Sequence, residues 1–144
     1  MELLNDLEES ERRALLRYPA YVTLLASTNQ DGLDEKEKKV ALKLSHIKTF
    51  SCEPLLEPFY KEAEKYFEET LEFLNESLPK ERHLRAAAIA KELGKLDELL
   101  KKLGGKYANA LYRSMRVYKD QVSRAHQNVL EYFIFPMPIE GVTN

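Results

Sequence analysis

The stretch "KYANALYRSMRVYKDQVSRAHQNVLEYFIF", Lys106–Phe135, decides the fold class of this chain. Apolar residues recur in it at alternating spacings of three and four, from Ala108 through Val122 to Tyr132. That spacing places them on one stripe of a long helix, sustained over about three heptads. The stripe predicts either a central bundle helix or a homodimeric coiled coil, and the small residues Ala108 and Ala125 favour close packing within one chain.

The stretches upstream of this long helix carry the same helical pattern. The chain has 5 glycines and 6 prolines, and nearly all fall where a helix would begin or end. Alternation typical of strands is scarce, so the predicted fold class is all-α. The sequence therefore predicts one domain, residues 1–144, folded as a single compact bundle of six or seven helices with a long C-terminal helix.

The first helix, within Asn5–Arg17, is expected to be mostly exposed. "YPAYVTLLAST" follows as a short buried helix, and Gly94 is a candidate for a bend in the helix after Pro79. Two other helices have predicted inward faces. The first face is Val40, Ala41, Leu44 and Ile47; the second is Phe59, Ala63, Tyr66 or Phe67, Thr70, and Phe73 or Leu74.

Pro136 cannot continue the long helix, so residues 136–144 are predicted to be a non-helical tail. Its apolar residues Met137, Ile139 and Val142 suggest that it packs back on the bundle. Docking on a protein partner as an extended peptide is the alternative.

Composition narrows the function classes. With a net charge of −2, 44% hydrophobic and 32% charged residues, the chain reads as a globular protein with no general attraction to nucleic acid. It has no apolar run of the roughly 18 residues needed to span a bilayer. The acidic start "MELLNDLEES" lacks the features of a secretory signal, so a cytoplasmic location is expected.

An acidic segment, "TNQDGLDEKE" at Thr28–Glu37, is the candidate binding site. Its acids Asp31, Asp34, Glu35 and Glu37 crowd the predicted start of a helix. Helix N-termini favour carboxylates, and Asp34 with Glu37 forms a capping-box pattern, so capping alone can explain these acids. The alternative is a site for a divalent cation, and oxygen ligands favour calcium, magnesium or manganese.

An EF-hand calcium loop does not fit this segment. With Gly32 at loop position six, Lys38 falls at position twelve, where calcium needs a bidentate carboxylate. Asp34 also falls where an apolar residue is usual. Any cation would therefore be held by a looser acidic arrangement.

Enzyme signatures are missing from the sequence. None of the three histidines completes the E-x-x-H pattern of di-iron bundles, and phosphate-binding glycine motifs do not occur. Cys52 is followed by Glu53, which discourages a reactive thiolate, although His46 could approach it. We therefore expect no catalytic residues, no cofactor other than a divalent cation, and no small-molecule substrate.

A candidate internal repeat is the last feature of the sequence. "LDEKEKK" at Leu33–Lys39 matches "LDELLKK" at Leu96–Lys102, and each follows an apolar, alanine-bearing helix. A true repeat would make two helical halves around a pseudo-twofold axis. Because these residue types are common in helices, chance similarity is the alternative.

The segment "AYVTLLASTNQDGLDEKEKKVALKLSHI" resembles the core motif of the tellurite-resistance TerB family. The resemblance covers about thirty residues and implies an all-α bacterial protein of the cytoplasm, linked to resistance to tellurite and other stresses. It also implies a divalent cation held by acids, with Asp31, Gly32, Asp34 and Glu37 at the matching positions. The second half departs from the pattern, because Lys95 stands where a second glycine would be.

Two functions follow as expectations. The first is a non-enzymatic, stress-associated, TerB-like protein that binds a divalent cation at the acidic corner. The second is a ligand-free structural or interaction module that uses the C-terminal helix and tail to bind a protein partner or a second copy.

Overall fold

The computed structural model describes residues 7–27 and 32–134, and the side chains of residues 7–27 and 32–125. All regular elements in these residues are helical, which confirms the all-α class. The elements are α1 (Glu9–Leu16), α2 (Tyr18–Ala26), α3 (Glu35–Ser51), a 3-10 turn (Pro54–Leu56), α4 (Glu57–Ser77), α5 (Arg82–Lys101) and α6 (Gly105–Ile134). In this part of the chain no helix is long and apolar enough to cross a bilayer.

Local sequence explains where the helices begin. Pro19 and Pro58 lie in the first turns of α2 and α4, where the missing backbone N–H has no helical partner to lose. Asp34 caps α3, and Glu81 caps α5 by accepting from the backbone of its first turn. Gly104 has a φ of 88°, so the sharp turn into α6 takes place at a residue that tolerates it.

The number of separate helical segments is slightly lower than expected. Arg17 alone connects α1 to α2, and its backbone is in the right-handed helical region. The two short helices therefore form one bent segment. Counted in this way, the described residues contain five helical segments rather than six or seven.

Helix α2 lies at the centre of the structure. It contacts α4, α5 and α6, and all of its residues except Leu25 are buried, as the sequence predicted. Helix α3 covers the same core from one side, through α4 and α6. Helix α1 is less exposed than expected, because Leu15 is fully buried against the core.

The predicted inward face of α3 is wrong in part. Ile47 is 47% exposed, whereas Ala41 is fully buried. The residues that are buried along α3 are Glu37, Ala41, Ser45, Lys48 and Thr49. The buried positions of α3 are thus mostly small or polar, and the larger apolar residues Leu42 and Leu44 pack against the core while half-buried.

In α4 the sequence left two choices open for the inward face, and the structure decides both. Phe67 and Leu74 are buried, while Tyr66 and Phe73 are exposed. Gly94 does not interrupt α5, which is continuous from Arg82 to Lys101.

Helix α6 begins one residue earlier than predicted, at Gly105. In the described part its buried stripe is Tyr107, Ala110, Leu111, Met115, Tyr118 and Val122. This stripe packs against α2 and α3 within the same chain, which is the bundle arrangement. The predicted tail, 136–144, lies outside the described residues.

The two copies of the candidate repeat occupy different places. Leu33–Lys39 forms the corner before α3 and its first turn, whereas Leu96–Lys102 lies at the end of α5. Similar residues therefore start one helix and finish another, and they are not in equivalent positions.

Candidate functional site

The acidic corner between α2 and α3 is first of all a capping structure. The Asp34 Oδ1 atom accepts a hydrogen bond from the Glu37 backbone N–H at 2.8 Å, and Glu37 Oε1 accepts from the Asp34 N–H at 3.2 Å. This reciprocal pair is the capping box that the sequence predicted. It satisfies two backbone donors that the start of α3 would otherwise leave without partners.

Glu37 also joins the two sides of the corner. Its side chain is 7% exposed, and its Oε2 atom accepts from the Ser27 hydroxyl at 3.2 Å. Both carboxylate oxygens of Glu37 therefore have protein donors, one from each helix end. A buried carboxylate held in this way fixes the corner, because losing either donor would leave a charged oxygen unsatisfied.

The other predicted ligands are not gathered into a cluster by the described residues. Glu35 is exposed on the first turn of α3, and Asp31 lies outside the described part of the chain. Within that part, no three histidine, cysteine, aspartate or glutamate side chains are close enough together to hold a metal ion. The cation site at Asp31, Asp34, Glu35 and Glu37 stays a prediction.

Asn75, near the end of α4, anchors the corner to the bundle. Its Oδ1 atom accepts from the Leu33 backbone N–H at 3.0 Å, and its amide donates to the Leu33 carbonyl at 3.4 Å. One side chain thus replaces the backbone pairing that an irregular loop cannot make for itself.

Arg85, in the first turn of α5, fixes the position of Asn75 by hydrogen bonds. Its guanidinium donates to Asn75 Oδ1 at 3.1 Å, to the Asn75 carbonyl at 2.7 Å and to the Pro79 carbonyl at 2.8 Å. The side chain is almost fully buried, and this burial lowers the pKa of Arg85, against which the charge of Glu76 acts. In the described residues no carboxylate lies within ion-pair distance of it.

Gly32 is where the corner meets these two side chains. Its φ is +102°, and a Cβ atom there would stand 2.9 Å from Asn75 Oδ1 and 3.6 Å from Arg85 Nη2. Both the backbone conformation and the space require glycine. The glycine of the sequence motif is therefore explained by packing against α4 and α5.

A cavity of about 230 Å³ opens beside Gly32, between the end of α2, the start of α5 and the middle of α6. Leu24 and Ile89 are buried in its apolar part. Its polar lining consists of Ser27, Arg82, Arg85, Lys119 and Ser123. None of the described lining residues is acidic.

A second, shallower groove of about 480 Å³ runs between α1 and α4. The exposed rings of Tyr66 and Phe73 form its apolar side. Two of its three arginines, Arg12 and Arg13, contact Glu9, and Glu69 lines the groove as well. This groove therefore has less charge to offer a ligand than the cavity beside Gly32.

Cys52 and His46 each contact a different group. Burial raises the pKa of the Cys52 thiol, and the thiol contacts the Thr49 carbonyl. His46 Nδ1 is 2.6 Å from Glu64 Oε2, and the same carboxylate accepts from Thr49 at 2.9 Å. The histidine thus has a different partner from the one considered from sequence.

Arg85 is the functional candidate that the sequence interpretation missed. A signal was available, because Arg85 lies four residues before Ile89 and eleven before Leu96, on the buried stripe of α5. A cation at an apolar position indicates a buried partner or a ligand. The sequence contained no comparable signal for Arg82 and Lys119. Both side chains are exposed, and the two residues are far from each other in the chain.

Comparisons with protein-family models, with curated proteins and with solved structures found no match for this chain. The TerB resemblance therefore rests on the residues of the corner alone.

Proposed function

We propose that this chain is a non-enzymatic, TerB-like helical protein of the cytoplasm that acts in stress resistance by binding. In this proposal a divalent cation binds at the corner, to Asp31, Glu35 and the outer face of Asp34. The observation that supports it is the anchoring of the corner to α4 by the hydrogen bonds between Asn75 and Leu33. This anchoring fixes the backbone next to the proposed ligands. Preorganised ligands lower the entropic cost of binding.

The capping box changes how the cation site should be tested. Asp34 and Glu37 hold the start of α3, so removing them would alter the fold together with the site. The variant Asp31→Asn/Glu35→Gln leaves both capping carboxylates in place. Its matched control is Asp97→Asn/Glu98→Gln, which makes the same change at exposed residues in the similar segment of α5.

Calorimetric titration with calcium, magnesium and manganese provides the measurement. We expect the parent and the control to bind one ion with equal affinity, and the corner variant to bind at least about tenfold more weakly. Absence of binding to the parent at millimolar metal, or equal binding by all three proteins, would contradict the cation site.

The second proposal is an interaction module that works through α6 and the tail and needs no ligand. The observation that favours it is the half-exposure of Tyr112 and Val117 on α6. The partner we propose is a second copy of the chain. Sedimentation of the full chain and of a chain ending at Phe135 separates the outcomes: loss of a dimer on truncation supports it, and a monomer in both contradicts it.

A further inference from the structure

The cavity beside Gly32 has more positive charge than the described residues balance. Arg82 and Arg85 reach it from α5, and Lys119 reaches it from α6. None of the three forms an ion pair within the described residues. Some cations elsewhere do, as Lys38 does with Glu68 and Glu72. The charges of the described lining are therefore all positive and favour an anion, although the whole chain is slightly acidic.

Arg85 gives this potential a fixed, buried donor. A guanidinium has five N–H groups, and the three hydrogen bonds to Asn75 and Pro79 use three of them. One N–H on each terminal nitrogen remains for a ligand. The side chain is only 6% exposed, and the three acceptors that hold it are neutral. Buried charges are normally paired with an opposite charge, so an anion in the cavity would complete this environment.

The other lining groups limit the size and kind of ligand. Ser123 adds a hydroxyl donor, and Leu24 and Ile89 close one side with apolar surface. The volume of about 230 Å³ is below the range of about 300–1,000 Å³ that is usual for drug-sized ligands. The space thus suits a compact anion better than an extended one, and it does not suit a nucleic-acid chain.

We propose that this cavity is a binding site for a phosphate group, either inorganic phosphate or a small phosphomonoester. Two guanidinium groups and an ammonium group match a tetrahedral dianion, and arginine in particular binds phosphate through two parallel N–H donors. Arg85 is the anchoring donor, Arg82 and Lys119 are the outer cations, and Ser123 contributes a hydrogen bond.

The test is a titration of the full chain with inorganic phosphate at low chloride. Calorimetry and phosphorus NMR measure the binding. The cavity variant is Arg82→Gln/Lys119→Met, because both residues are exposed and neither belongs to the buried core. The charge-matched control is Arg113→Gln/Arg116→Met on α6, two exposed cations that do not line the cavity. A third variant, Ala86→Leu, places bulk in the cavity without changing its charge.

We expect saturable binding of one phosphate by the parent and the control. We expect at least about tenfold weaker binding by the cavity variant and by Ala86→Leu, because charge-assisted hydrogen bonds are lost or blocked. Thermal unfolding should be unchanged in the cavity variant, which separates loss of a ligand from loss of the fold. Competition by acetate and sulfate then ranks the anion classes.

Three results would overturn the proposal. The first is no binding to the parent at tens of millimolar phosphate. The second is equal weakening in the cavity variant and the charge-matched control, which would indicate general electrostatics. The third is binding that appears only in the variant Asp31→Asn, since a carboxylate of the chain itself would then fill the role of the anion.

Discussion

Gly32 separates two regions of opposite charge, and they differ in how their charges are satisfied. On one side Asp34 and Glu37 receive backbone and hydroxyl donors from the ends of α2 and α3. On the other side Arg85 faces a cavity that no described carboxylate lines. The acids are close in sequence and their charge is used within the corner. Of the cavity's cations, Arg82 and Arg85 come from α5 and Lys119 comes from α6, and we propose that their charge is available to a ligand.

This difference shows that capping can account for acids that are clustered in the sequence at a helix start. Acids a few residues apart at a helix start have backbone N–H groups within reach, and capping satisfies them. Arg85 also has partners nearby in the chain, but its acceptors on Asn75 and Pro79 are neutral. The acids of the cap are thus matched by their own helix start, whereas the charge of Arg85 is matched by no described carboxylate.

The largest expected effect is that of Arg85→Met. The change leaves the Asn75 and Pro79 oxygens without their donor and removes the charge that we assign to ligand binding. We expect a loss of about 3 kcal/mol in the free energy of unfolding. Chemical denaturation with a two-state fit provides the measurement.

Arg82→Met is the control for this prediction, because it removes a neighbouring cation that is exposed. It should change the free energy of unfolding by less than about 0.5 kcal/mol. If the two variants lose the same stability, Arg85 does not hold the corner, and the contrast between the two regions fails.

Sequence alone predicted the fold class and most helix starts because their causes are local. Pro19, Pro58 and the capping pair Asp34 and Glu37 act within a few residues of themselves. The anchoring of the corner could not be predicted in the same way, since Asn75 is 42 residues away from Leu33. Which residue Asn75 contacts depends on how α4 and α5 pack, and amphipathic spacing does not specify that packing.

The inward face of α3 shows the same limit. Hydrophobic spacing correctly selected Ala41, which is buried, and Leu44, which packs against the core, but it also selected Ile47, which remains half-exposed. In a short crossing between helices, the size of a side chain decides which face approaches most closely. Apolar character alone therefore did not fix the rotation of α3.

Gly32→Ala should have the second-largest effect. Alanine at a φ of +102° is strained, and its Cβ would lie 2.9 Å from Asn75 Oδ1, so Asn75 would have to shift. We expect a loss of about 2 kcal/mol in the free energy of unfolding. Gly94→Ala is the matched control, because a Cβ there meets nothing within 4 Å in the middle of a helix.

In the control, alanine should stabilise α5 by a few tenths of a kcal/mol or more, because glycine is a poor residue in a helix interior. Equal effects of the two substitutions would mean that Gly32 does not fit tightly against α4. The corner would then be a flexible turn, and its contrast with the cavity would lose its structural basis.

Asp34→Ala tests the capping role of the acids directly. Losing the Oδ1 acceptor should lower the free energy of unfolding by about 1 kcal/mol. Asp34→Asn keeps a good capping side chain and removes only the charge, so it should cost a few tenths of a kcal/mol. If asparagine costs as much as alanine, the charge of Asp34 matters more than its cap, which would favour a bound cation.

Glu35→Gln should have the smallest effect. It distinguishes most clearly between a capping role of the corner and the binding of a cation. Glu35 is exposed at the first position of α3, so without a metal it contributes through the helix dipole, about 0.3 kcal/mol, and through the attraction between its charge and Lys38. Salt screens both effects. A cation bound to the corner would add a stabilisation that grows with metal concentration, and Glu35→Gln would weaken it. Thermal unfolding of parent and variant across a manganese titration measures that growth. Parallel curves would leave the corner a capping structure, and the cavity beside Gly32 would then be the region whose charge is available to a ligand.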